Sequence, residues 1–212
     1  MLEAVASADL WFWHAFFGAA GSNNDINVLD QSPLFTAVLQ GRAPSVQFTV
    51  NGTEYNMGYY LADNIYPEWA AFAKSITRPQ SDKAKLYAQR QESARKDVER
   101  AFGVLQKRWA IIRHPARLWE RDELADIMYA CIILHNMIVE DERDDYDIPD
   151  DNTYEQSQSS VQLAGLDHGP IHGFAEVLDT DMNIRDRTTH RRLKADLMEH
   201  IWQKYSGQQQ QN

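Results

Sequence analysis

Residues 47–67, QFTVNGTEYNMGYYLADNIYP, hold the stretch on which the fold turns. Alternating side chains flank Asn51-Gly52, a dipeptide whose backbone readily takes the positive φ angles of a two-residue hairpin turn. The span from Gln47 to Leu61 therefore predicts a hairpin, and Asp63 falls at the end of a strand. Upstream, LEAVAS and LWFWHAFFG predict two more strands joined by a turn near Ala8 and Asp9. Residues 21–25 (GSNND) are turn chemistry, and Asp25 is the predicted N-cap of a helix over Ile26 to Leu39 that breaks around Pro33.

From Ser81 onward the period changes. Val98, Phe102, Leu105, Trp109 and Ile112 recur every three or four residues, the stripe of a helix facing a core. A second helix is expected from about Asp122 to Val139 (DELADIMYACIILHNMIV), apolar on nearly all sides and so expected to be the most buried helix. Helical periodicity returns from Arg187 to Tyr205 through Leu193, Leu197 and Ile201. Four segments result: a core over 1–142, an acidic, Ser/Gln-rich flexible linker over 143–173, a helical segment over 174–206 and a disordered tail over 207–212.

Composition excludes several classes. A hydrophobic content of 43% supplies a packed core. The single cysteine, Cys131, forms no internal disulfide and no zinc site with a second thiol, which fits a reducing compartment. No apolar run approaches the length of a membrane span, so a soluble chain with no membrane partner is expected. The net charge of -10 argues against a protein that coats nucleic acid. Acid is concentrated in residues 140–151, however, while Arg90, Arg95, Lys96, Arg100, Lys107, Arg108, Arg113 and Arg117 gather between residues 83 and 121. The cations around Glu99 read either as a surface for the DNA backbone or as a solvated helix face.

Asp63 at a strand end and Glu99 mid-helix are the candidate chemical pair. Carboxylates on rigid elements bind Mg²⁺ or Mn²⁺, hard ions that take oxygen ligands, and a pair of such ions serves phosphoryl transfer. The plainer readings are a turn-forming Asp63 before Asn64 and a Glu99 paired with Arg95 one helical turn earlier. Against the second, Val98 and Phe102 place Glu99 at the border of the apolar stripe, where an acid needs a partner or a metal. His14, His114 and His135 are spaced unlike metal ligands, and His135 and Cys131 read as core.

The strings FFGAAGSNNDINVLDQSPLF, YYLADNIYPEWAAFAKSI, QESARKDVERAFGVLQKRWAII and DIMYACIILHNMIVEDE, in this order, resemble the nuclease domain of PIF/Harbinger transposases of plant genomes. The resemblance covers about Leu2 to Glu142, with an echo in RLKADLMEHIW. It implies an α/β, ribonuclease H-like mixed sheet flanked by helices. An Asp-Asp-Glu triad there binds a divalent metal cation, Mg²⁺ or Mn²⁺, for phosphodiester hydrolysis and strand transfer. By the resemblance Asp63 is the second acid, in the family's L-x-D-x-x-Y-P string, and Glu99 the third, in V-E-R-x-F-G.

The family's first acid lies on a strand upstream of the hairpin with which this chain opens, and no segment here matches it. The expectation is an N-terminally truncated nuclease core, lacking its first strand and impaired by loss of the first Asp. Asp9, a turn residue, and Asp25, a helix cap in the family's G-S-x-x-D string, are weaker candidates for the metal site. Asn64 stands where the family has Gly and is expected to tolerate left-handed backbone angles. The resemblance implies a nuclear location, DNA held weakly by this chain alone, and a separate DNA-binding partner protein. The alternative is a non-catalytic, domesticated fragment acting as a nuclear protein-interaction module.

Overall fold

A computed structural model describes residues 1–17, 24–43, 46–114, 120–143 and 173–206. Among the described residues six strands and seven helices follow one another: β1 (Leu2–Ala6), β2 (Phe12–Phe17), α1 (Asp25–Gln31), α2 (Thr36–Leu39), β3 (Phe48–Val50), β4 (Thr53–Tyr55), β5 (Tyr60–Ala62), β6 (Phe72–Lys74), α3 (Asp82–Arg108), α4 (Ala110–Arg113), α5 (Arg121–Glu142), α6 (Phe174–Ile184) and α7 (Arg187–Ser206). The fold is mixed α/β, and its described strands pair as three two-stranded ladders. No helix of the described residues is long and apolar enough to cross a membrane. The predicted linker and tail lie almost wholly outside the described residues.

The chain divides into two compact units, one of Met1–Ser32 with Ala94–Thr153 and one of Pro33–Ser93 with Tyr154–Asn212. In the first, β1 and β2 form the predicted antiparallel hairpin, with an irregularity between Val5 and Ala6. Leu10, at φ 70, closes its turn by donating to Ser7 O at 2.9 Å. Phe12, Ala101, Leu105, Cys131 and Ile132 are the buried centre, with Phe102, Trp109 and Ile112 packed around it, so the helical stripe read from sequence faces a core.

Helix α5 packs on β2. Its residue His135 is fully buried: Nε2–H donates to Leu10 O at 2.9 Å, and Nδ1 faces Arg108 Nη1 at 3.4 Å. The next residue, Asn136, spans both main-chain groups of Phe12, accepting from its N–H and donating to its C=O, each at 2.9 Å. These two side chains satisfy backbone groups that burial would otherwise leave unpaired.

The expectation that α5 is the most buried helix is corrected. Ile133, Leu134 and Met137 are 60%, 44% and 59% exposed. Only the stripe through Cys131, Ile132, His135 and Val139 is buried, because the described neighbours of α5 in this unit line one side of it. The predicted break at Pro33 is present as the gap between α1 and α2, but the cap of α1 is Asn24, whose Oδ1 accepts from Asn27 N at 2.9 Å. Asp25 is instead the first helical residue, where a carboxylate favours the helix dipole.

In the second unit, β3 and β4 form the hairpin predicted at Asn51-Gly52, turning through Asn51 at φ 51 and Gly52 at φ 78, the angles of a type I′ turn. Its predicted extent to Leu61 is corrected, since the ladder ends at Tyr55 and Asp63 follows a separate strand, β5. β5 and β6 pair in parallel, Tyr60 with Phe72 through Ala62 with Lys74. Helix α7 holds β6 and its approach: His190 Nδ1–H is shared by Trp69 O at 3.0 Å and Phe72 O at 2.9 Å, and Lys194 Nζ donates to Ser75 O at 2.9 Å. The C-terminal helices are thereby part of the unit that carries Asp63.

Candidate functional site

Asp63 leaves β5 directly after the last paired residue and opens a turn in which Tyr66 N donates to Asp63 O at 3.2 Å. Its Oδ1 accepts from Asn64 N at 2.6 Å and its side chain is exposed, so one carboxylate oxygen stays open to solvent. Asn64 keeps a negative φ, since among the described non-glycine residues only Leu10, Asn51 and Arg78 are positive. The tolerance of left-handed angles expected of Asn64 is thus not called upon, and its side-chain amide donates to Thr77 Oγ1 at 3.3 Å.

The loop after Asp63 is pinned at Tyr66, whose carbonyl accepts from Lys74 Nζ and whose ring packs on Phe72 with centroids 5.4 Å apart. Burial holds the Lys74 ammonium below its usual range, opposed by Glu68 and Asp63. Lys194 is held down by burial and by repulsion from Lys74.

Beneath the strand ends lies Gln91 of α3, 4% exposed. Its Nε2 donates to Ala62 O at 3.2 Å and to Ala73 O at 3.0 Å, one carbonyl on each strand. Its Oε1 is buried with no partner. The neighbouring Glu92 accepts from Ser75 Oγ at 3.0 Å. Sequence periodicity passed over Gln91, Glu92 and Ser75, because a lone amide on a polar helical stretch has no local signature.

Glu99 belongs to the other unit. Its side chain is 57% exposed and its Oε1 accepts from Arg95 Nη1 at 3.1 Å. The reading that set it at the border of the buried face is corrected: the buried face of α3 passes through Ala101 and Leu105, at 0% and 1% exposure. The i,i+4 pair read from sequence is present, and such a pair stabilises by only about 0.3–0.5 kcal/mol. Of the α3 cations, Arg95, Arg100 and Arg108 are paired with Glu99, Asp97 and Glu142.

Of the two weaker candidates, Asp9 is engaged locally. Asp9 takes the Ser7 hydroxyl and Trp11 N on Oδ1, and pairs through Oδ2 with Arg143 Nη2 at 3.0 Å. Asp25 sits in the first turn of α1. Among the described residues no group of three or more His, Cys, Asp or Glu side chains is placed to hold a metal ion. The donor chemistry of Asp63 and Glu99, exposed carboxylates on ordered elements, nonetheless suits a hard divalent cation. A separate cavity of about 610 Å³ in the second unit is lined by Phe35, Tyr55, Tyr59, Tyr60 and Arg192, and Asp63 takes no part in it.

Residues 1–146 match the family model described as plant transposon protein. With the strand-end acid and the α3 string both inside that match, the chain belongs to the plant transposon protein family and is a transposase-derived domain. Among curated proteins it is similar to "Protein ALP1-like" of Arabidopsis thaliana, 27% identical over 178 residues, which are 77% of this chain and 41% of that protein. The chain thus spans about two fifths of the length of the relative it matches. No solved structure matches it.

Proposed function

We propose that this chain carries part of the catalytic core of a transposase-derived, metal-dependent DNA endonuclease with a ribonuclease H-like fold, working in the nucleus. The observation that carries the reading is Asp63: a carboxylate with an open oxygen at the end of a parallel strand pair, inside the family match. Asp63 and Glu99 would hold Mg²⁺ or Mn²⁺. Such an ion, when bound, polarises the scissile phosphate and lowers the pKa of an attacking water. Asp63 offers its oxygen from a backbone fixed by β6 and Gln91. Glu99 can be released from Arg95 at small cost, because a half-exposed pair is weak. Lys96 and Lys107 on α3 have no ion pair among the described residues and are available to phosphates. The many paired cations limit this chain's own hold on DNA, so a separate DNA-binding partner protein supplies target selection.

The test is nicking of supercoiled plasmid DNA in Mn²⁺. Nicking that is lost in both Asp63→Asn and Glu99→Gln supports the assignment; nicking that persists in both overturns it. A second reading, a non-catalytic protein-interaction module, draws on the exposed row Ile133, Leu134 and Met137 on α5. Apolar side chains grouped on a surface commonly mark a partner's footprint. Absence of any metal-dependent nicking, with a partner bound through that row, would favour it.

A further inference from the structure

Gln91 makes an unusual bargain with its surroundings. A buried amide normally satisfies both ends, and leaving the acceptor unpaired costs about 1–3 kcal/mol. Here the donor end is fully used and the acceptor end is abandoned. The two carbonyls that receive it are Ala62 O, on the peptide that leads into Asp63 N, and Ala73 O, on the β6 residue that pairs with Leu61. One side chain thus ties the C-terminal ends of β5 and β6 together at the point where the chain leaves the ladder. Three-residue strands have few ladder hydrogen bonds of their own, so this cross-link is a large share of what fixes the backbone there.

We propose that Gln91 is the positioning residue of the Asp63 site, setting the direction from which the carboxylate is presented. The proposal rests on the metal-binding reading given above. Gln91 touches neither ligand nor reacting atoms; it acts through the Ala62 peptide, and the tight Asn64 N–H to Asp63 Oδ1 contact at 2.6 Å reports its effect. Outer partners of metal ligands commonly change metal affinity by about 10–100-fold when removed.

Gln91→Met keeps the length and bulk of the side chain and removes both donors together with the orphan acceptor. Tyr87→Phe is the matched control, since it deletes a different bond to the same region, Tyr87 O–H to Lys74 O at 3.1 Å. Two quantities are measured on the full chain: Mn²⁺ affinity by calorimetry, and the amide resonance and hydrogen exchange of Asn64 by NMR. Gln91→Met is expected to weaken Mn²⁺ about tenfold and to displace the Asn64 resonance, whereas Tyr87→Phe changes neither at a comparable loss of Tm. Unchanged affinity and an unchanged Asn64 resonance in Gln91→Met overturn the proposal. So does an equal loss of affinity in Tyr87→Phe, which would reduce Gln91 to general support. If the parent chain binds no Mn²⁺, the metal reading fails, and the Asn64 amide alone then decides whether Gln91 sets the turn.

Discussion

Replacing Asn136 by Ala removes both hydrogen bonds that join α5 to the backbone of Phe12, each 2.9 Å long. Phe12 is 4% exposed, so water reaches the stranded N–H and C=O poorly. A typical intramolecular hydrogen bond contributes about 1 kcal/mol net, and a buried group left unpaired costs about 1–3 kcal/mol. The two losses together come to about 2–4 kcal/mol. The assay is native-state hydrogen exchange at the Phe12 amide with urea denaturation in parallel, and protection should fall by roughly 30-fold to 1,000-fold, one decade per 1.4 kcal/mol. Asn183→Ala serves as a control, because the exposed Asn183 side chain donates to an exposed Asp179 carboxylate at 3.1 Å, and it should shift stability by less than about 0.5 kcal/mol. An Asn136→Ala loss no larger than that of the control would refute the claim that this side chain latches the hairpin.

Three further outcomes are expected. Burial holds His135, and likewise His14, below the ordinary imidazole range. The unfolded chain therefore takes up these protons first, and stability should decline as pH falls below about 6.5, with His135→Gln flattening part of that slope in urea titrations from pH 8 to 5. Burial and the Asp196 carboxylate, 2.6 Å from its hydroxyl, push Tyr55 up to about 12; Asp196→Asn should move that phenol's absorbance titration back toward 10. Gly52 sits at φ +78 with nothing within 4 Å of an added Cβ, so Gly52→Ala should cost about 1–2 kcal/mol through backbone strain alone, read from the urea midpoint.

Local signals carried much of the fold. Asn51-Gly52, the turn at Ala8-Asp9, the break at Pro33 and the α3 stripe each depend on residues within a turn or two of one another, and each is present in the structure. What sequence missed is long-range. The pairing of His135 with Leu10 and of Asn136 with Phe12 spans more than a hundred residues, and no period marks it. The same holds for α7, whose His190 and Lys194 reach the β6 region. Apolar composition over-predicted the burial of α5, because composition counts side chains and not the neighbours available to cover them. Of the candidate site, the strand-end position of Asp63 and the Arg95 partner of Glu99 were legible, while Gln91, a buried amide acting on two carbonyls, was not.

The central claim is that Asp63 and Glu99 serve a divalent metal, and calorimetric titration of Mn²⁺ into the purified chain tests it most directly. Binding is the more direct quantity than turnover, since carboxylates can hold an ion without completing a three-acid centre. Saturable binding that Asp63→Asn and Glu99→Gln each weaken by at least about tenfold is the predicted result, as expected for loss of a ligand. Binding of unchanged affinity in both variants, or no binding in the parent chain, would contradict it.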